Sequence, residues 1–233
     1  MGSDGLKIGV IGAGAWGTAL ARMLASSSNS VQLWCHEPET AKNILQKHVN
    51  TSFLPDILLP ESLGASTDLL EIVRNSRILA AAPPSHLTRE IAKKIRPEIT
   101  AEHILLILSK GIEQHSLALM SEIFAEELDN LPKLAVLSGP TFAREVALDL
   151  PSAAVLACAD ETTGMLLQKC FHSDRFRIYR STDLVGVQLG GSIKNVNAIA
   201  YGMADRMELG LNARAAIICR GVAEMSRLGT AKE

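Results

Sequence analysis

From Lys7 to Tyr179, short aliphatic runs alternate with stretches whose apolar residues recur every three or four positions. Short aliphatic runs bounded by turn residues predict buried strands, and the longer periodic stretches predict amphipathic helices. The strands expected are Lys7–Ile11, Val31–Trp34, Ile78–Ala82, His103–Leu108, Leu134–Leu137, Ala153–Ala157 and Phe176–Tyr179. The helices expected between them are Ala15–Ser27, Glu39–His48, Ser116–Glu127 and Thr141–Leu148, with one capped by Ser85 and running towards Ile95 and another after Asp160. Such alternation predicts an α/β fold in which a parallel sheet is covered on both faces by helices.

Beyond Tyr179 the pattern changes. Asp183 to Met203 reads as one long helix, Asn212 to Arg227 as a second, and no strand follows. A boundary near Ser181 therefore divides a sheet domain, 1–181, from the start of an all-α domain, 182–233. Two helices seldom close a core of their own, so they are expected either to pack back on the sheet or to begin a larger unit, and the chain reads as truncated with this second domain incomplete. The leading Met1-Gly2-Ser3-Asp4-Gly5 reads as a frayed terminus or an expression scar and carries no fold information.

Directly after the first strand, Gly12-Ala13-Gly14-Ala15-Trp16-Gly17 fits G-x-G-x-x-G and opens the first helix. In that context the first glycine permits the turn, the second admits a pyrophosphate to the backbone, and the third lets helix and strand approach. The pyrophosphate then lies on free N–H groups at the positive end of the helix. This predicts a Rossmann-type dinucleotide-binding domain; no Gly-Lys-Ser/Thr follows, so a Walker-type phosphate loop is excluded. The second strand ends Leu33-Trp34-Cys35-His36-Glu37. Glu37 at the ribose 2′-hydroxyl would favour NAD, while His36 at a 2′-phosphate would favour NADP. The choice stays open.

Two lysines are candidates for the chemistry. Lys110 lies just past the fourth predicted strand, at the carboxyl end where ligands of open α/β sheets bind. Lys194 stands within an otherwise uncharged run from Leu184 to Ala204, on a helix whose apolar character predicts burial. Residues three and four positions away share its face; they are Gly190, Gly191, Asn197 and Ala198, small groups that leave room for a substrate. A desolvated lysine exchanges a proton near neutral pH, as ketone reduction requires when hydride arrives at carbon and a proton at oxygen. A second cation holds the substrate's anionic groups.

Composition narrows the partners. The net charge of −2 provides no basic footprint for nucleic acid or anionic membranes. No apolar run approaches the ~20 residues of a membrane helix, and the amino terminus is too polar for a signal peptide. Cys35, Cys158, Cys170 and Cys219 are scattered through apolar runs and read as reduced, pointing to the cytoplasm. The six histidines show no metal-ligand spacing.

Five motifs occur in order: Gly12–Gly17 running into Thr18-Ala19-Leu20-Ala21, Leu108-Ser109-Lys110-Gly111-Ile112-Glu113, Ser138-Gly139-Pro140-Thr141-Phe142-Ala143-Arg144-Glu145, Val187 to Val196, and Asn212-Ala213-Arg214-Ala215-Ala216. Together they resemble the bacterial-type NAD(P)-dependent glycerol-3-phosphate dehydrogenases, over essentially the whole chain. The resemblance implies reduction of dihydroxyacetone phosphate to sn-glycerol 3-phosphate with NADP or NAD, supplying glycerophospholipid synthesis. Beside Gly12, Gly14 and Gly17 of the glycine turn, it implies cofactor contacts at Ala15, Trp16, His36, Lys110 and Ala143. Substrate contacts fall on Lys110, Gly139, Thr141, Lys194 and Asn195, with Lys194 the catalytic proton donor and Asn195 beside it as an orienting group. A homodimer is kept open. Asn197 stands where the family more often has an aliphatic residue, Arg206 and Glu208 stand in a segment where it usually has more glycine, and a later Gly-Asp-Leu motif and Ser-Arg-Asn segment are absent before Glu233. The competing readings are a related hydroxyacid reductase and a dinucleotide-binding module without turnover.

Overall fold

The computed structural model describes residues 6–27, 29–129 and 131–232, so the Met1–Gly5 reading lies outside the described residues. An eight-stranded sheet forms the centre. Its strands are β1 (Lys7–Ile11), β2 (Ser30–Trp34), β5 (Gly64–Ser66), β6 (Ile78–Ala81), β7 (Ile104–Ile107), β8 (Lys133–Ser138), β9 (Ser152–Cys158) and β10 (Phe176–Ser181), in the order β10-β9-β8-β7-β6-β1-β2-β5. All seven expected strands are present. A two-stranded antiparallel ribbon, β3 (Val49–Asn50) with β4 (Leu54–Leu58), the short β5 and helix α3 (Leu69–Asn75) add to the expected elements.

The expected parallel sheet is present, with one antiparallel pairing among its strands. β8 pairs antiparallel with β9, and β10 pairs parallel with β9, so the last two strands run against the rest.

Period-two alternation divides the core between the two faces of the sheet. Ile8, Val10, Leu33, Ala80, Leu106 and Leu137 lie in one cluster, with α1 (Ala15–Ala25), α2 (Pro38–Lys47) and α7 (Glu161–Phe171) contributing Leu20, Ile44 and Leu167. Ile11, Leu79, Leu105, Ile107 and Val136 lie in the other, with Ile72 of α3, Ile91 of α4 (Thr88–Ile95) and Phe124 of α5 (Met120–Glu127). Strands such as β6 and β7 are buried at every residue, as a sheet covered on both faces demands.

Three helix starts in the sheet domain move by two residues or more. Ser85 does not cap α4; it opens a short 3₁₀ turn, Ser85–Leu87, after Pro84. α5 begins at Met120 rather than Ser116, because Ile112 bridges Leu119 and Leu117 turns through φ 57°. α6 spans Ala143–Ala147, starting two residues after Thr141.

After β10 come α8 (Leu184–Arg206), capped by the Asp183 carboxylate on the Gly186 N–H, and α9 (Gly210–Lys232). The helices approach closely where Gly221 meets the Asn197 amide, and Arg214 pairs with Asp205 near their junction. Burial along α8 is uneven, against the expectation of a buried helix. Leu184 and Val187 pack on the sheet core, whereas Val196, Ile199 and Met203 are exposed. The sheet and α9 together cover only part of the circumference of α8. No helix among the described residues is long and apolar enough to cross a membrane.

Candidate active site

The glycine turn links β1 to α1 with little room to spare. Gly12 takes φ +113°, a left-handed-side conformation that suits glycine, and a Cβ there would lie 2.9 Å from the Ala82 carbonyl oxygen. A Cβ on Gly17 would lie 2.0 Å from the Gly12 carbonyl oxygen. Gly14, by contrast, faces open space. It is the N-cap of α1 and has no side chain to occupy the helix's free N–H groups, which are left available to an anion.

Above this turn opens a cleft of about 610 Å³, within the range of roughly 300–1,000 Å³ usual for ligand sites. Gly12, Gly14, Ala15, Trp16 and Gly17 form its floor, and Pro83, Leu87 and Ile91 face them. His36 and Glu37 stand at the end of β2, and Lys110 and Thr141 also line the cleft. The His36 ring meets Trp34 edge-on with centroids 6.0 Å apart. Trp16 packs against Phe176 at 6.4 Å, and its indole Nε1 is buried with no hydrogen-bond partner among the described residues. A cradle with an open glycine, free helix N–H groups and apolar walls fits a nicotinamide dinucleotide.

Lys110, Gly139, Thr141 and Lys194 come together beside the cleft. Lys194 Nζ donates to the Gly139 carbonyl at 2.8 Å, and Lys110 Nζ donates to the same oxygen at 3.1 Å and to Thr141 Oγ1 at 3.4 Å. An ammonium carries three donors, so each lysine keeps hydrogen-bonding capacity for a substrate. Burial first, and the Lys194 ammonium second, push Lys110 down to about 8.

The room expected around Lys194 is filled from within the chain. A Cβ on Gly191 would lie 2.2 Å from Ser138 Oγ and 3.7 Å from Lys110 Cγ, so this glycine lets α8 touch the end of β8. Asn197 is taken up by α9, and only Gly190 of the two glycines faces open space. Among the expected site residues, Lys194, Gly139, Ala143 and Asn195 do not line the cleft itself. Ala143 packs against the sheet core, and Asn195 is exposed. The observed anchor of Lys194 is the Gly139 carbonyl.

Two further groups went unnoticed in the sequence. Ser192 Oγ accepts the Gly111 N–H at 2.9 Å and donates to the Gln188 carbonyl at 2.8 Å. Arg89 holds Glu113 through two bonds of 2.9 and 2.7 Å, bracing the segment after Lys110. Ser192 belongs to the Gly-Gly-Ser-Ile-Lys-Asn stretch, but nothing in spacing distinguishes a bridging serine from a solvated one.

Residues 7–164 match the family model described as NAD-dependent glycerol-3-phosphate dehydrogenase N-terminus, and residues 183–233 match that of the C-terminus. A glycerol-3-phosphate dehydrogenase [NAD(P)+] of Citrifermentans bemidjiense is 47% identical over 227 residues, covering 97% of this chain and 68% of the relative. One of Leptospira biflexa is 43% identical over 226 residues, covering 96% and 68%. The crystal structure of glycerol-3-phosphate dehydrogenase from Coxiella burnetii superposes with a TM-score of 0.90 at 38% identity, over 97% of this chain and 69% of that one. A ketopantoate reductase from Ralstonia eutropha, at 19% identity and a TM-score of 0.68, shares the fold alone. On the match of both family models in order, this chain belongs to the NAD-dependent glycerol-3-phosphate dehydrogenase family.

Proposed function

We propose that the cleft carries out the family's reaction on dihydroxyacetone phosphate, giving sn-glycerol 3-phosphate for glycerophospholipid synthesis, with NAD or NADP as hydride carrier. The convergence of the Lys110 and Lys194 ammonium groups on the Gly139 carbonyl, beside the glycine cradle, carries this reading. A nicotinamide held in the cleft would supply or accept the hydride. Lys194, its orientation set by one bond to Gly139, gives a remaining proton to the carbonyl oxygen as negative charge develops there. Lys110 and the Thr141 hydroxyl hold the anionic substrate, and Lys110 adds positive charge next to the forming alkoxide. Apolar walls at Leu87, Ile91 and Leu108 limit water in the cleft. In this proposal 1–181 binds the dinucleotide and 182–233 brings the proton donor.

Adding dihydroxyacetone phosphate to the protein with NADH or NADPH should oxidise the cofactor. Lys194→Ala should abolish that turnover and preserve cofactor binding by calorimetry. Cofactor binding with no turnover by the unaltered chain would instead favour the dinucleotide-binding module, and preference for a non-phosphorylated acid would favour another reductase. We also propose a cytoplasmic location, supported by four free thiols, and a homodimer, supported by the exposed Val196, Ile199 and Met203. Light scattering at micromolar concentration tests the assembly, and a monomer there would exclude it.

A further inference from the structure

We propose that Lys94 is the residue that admits a 2′-phosphate to this cleft, and that Glu90 opposes it, so this pair on α4 sets the balance between NADP and NAD. The inference rests on the reading of the cleft as a dinucleotide site. The end of the second strand of such a sheet is where the adenosine ribose lies, and an acidic residue there selects a free 2′-hydroxyl. Here that position holds His36 and Glu37, one group suited to each cofactor, and both line the cleft.

The structure adds two charges to the same rim. Glu90 and Lys94, one helical turn apart on α4, both line the cleft and form an ion pair of 2.6 Å between Nζ and Oε1. The Lys94 ammonium chiefly, and the His36 ring more weakly, hold the Glu90 carboxyl below its usual value, which places His36 within electrostatic reach of this helix. The rim thus gathers the Glu37 and Glu90 carboxylates, the His36 imidazole and the Lys94 ammonium. Two carboxylates alone would repel a phosphate dianion, and Lys94 is the long, mobile ammonium that offsets them. Its side chain is 48% exposed, so it is free to exchange a carboxylate partner for a phosphate. Lys93, the neighbouring lysine, reaches towards Glu127 at 4.0 Å and does not line the cleft. It carries the same charge on the same helix and serves as the internal control.

The test is calorimetric titration of the full chain with NADPH and with NADH, for the unaltered protein and three variants. Lys94→Gln should weaken NADPH about tenfold and NADH less than about twofold, the size expected for losing one partly solvated charge contact. Glu90→Gln should tighten NADPH by about threefold and leave NADH nearly unchanged, and Lys93→Gln should alter neither ratio. Equal weakening of both cofactors by Lys94→Gln, or the same discrimination from Lys93→Gln, would overturn the proposal. Failure of the unaltered chain to bind either cofactor would instead remove the dinucleotide reading itself.

Discussion

The Gly111 N–H donates to the Ser192 hydroxyl at 2.9 Å, and this bond joins the loop carrying Lys110 to the helix carrying Lys194. Ser192 is fixed in turn by its own bond to the Gln188 carbonyl, and the Gln188 amide clasps Ser121 of α5 through its Oε1 and Nε2 at 3.0 and 2.8 Å. The two ammonium groups are therefore set relative to each other by a continuous chain of hydrogen bonds. Ser192→Ala should lower kcat about tenfold, since one such bond contributes about 1 kcal/mol and a small displacement between reacting groups is costly. NADPH affinity should hold. A variant with unchanged kcat and only a lower melting temperature would reduce Ser192 to a structural role.

Lys110 should report its surroundings in its titration. Its folded value of about 8 lies below the roughly 10.4 of an unfolded chain. The folded protein thus releases this proton first, and the destabilising effect of the buried charge is complete below pH 8. That effect is relieved as pH rises from about 8 towards about 10. For function the sign is opposite: in the proposed role of Lys110, deprotonation would remove the cation that holds the substrate, so KM for dihydroxyacetone phosphate should rise above pH 8. Lys194→Met should move the Lys110 midpoint upward, as followed by the resonance of its ε-carbon. An unmoved midpoint would mean that the two ammonium groups are not coupled.

Gly190 and Gly191 are adjacent yet should respond in opposite ways. Alanine at 190 enters open space within a helix and should stabilise the chain by about 1 kcal/mol. Alanine at 191 drives a methyl group to 2.2 Å from Ser138 Oγ and should cost about 1–3 kcal/mol as overpacking. The Ser138 hydroxyl is buried without a partner among the described residues, so adding Ser138→Ala removes the clash at little expense and should recover most of the loss. Denaturant unfolding of the two single variants and the double variant decides, and no recovery in the double variant would place the strain elsewhere.

Acid should loosen the segment after Lys110. The Arg89 guanidinium first, and the Ser116 hydroxyl second, hold the Glu113 carboxyl down at about 2. Its folded value lies below the unfolded one, so the contribution to stability is full above about pH 4.3 and is lost as pH falls through about 2. Glu113→Gln should flatten the dependence of melting temperature on pH across that window. A parallel curve for the variant would remove this pair from the acid response.

Strands buried at every position were legible in the sequence, because β6 and β7 are unbroken aliphatic runs. β4 was not: Pro55 and Asp56 interrupt it, and only Leu54 and Ile57 of its five residues are buried. The direction of β9 was hidden for a different reason, since side-chain alternation is the same whichever way a strand runs. The lysines were found by position and by apolar surroundings, but the Gly139 carbonyl that anchors both belongs to the backbone and has no signature in side-chain type. The departure at Glu208 acquires a physical meaning. Its φ of 54° is left-handed, which costs a non-glycine residue roughly 1–2 kcal/mol, a strain that glycine would relieve.

The reversal of the final two strands determines where the Lys194 ammonium arrives. Because β9 and β10 descend while β8 ascends, the chain leaves Ser181 at the edge of the sheet far from the cofactor cleft. α8 must then climb back across the sheet. Ten residues separate Leu184 from Lys194, a rise of about 15 Å, close to the length of a six-residue strand at about 20 Å, and the ammonium emerges level with the top of β8. The first three turns of α8 thus act as a ruler. Inserting one residue between Leu184 and Gly190 would swing Lys194 about 100° around the helix axis and separate it from Gly139 with every atom of the cofactor cleft untouched.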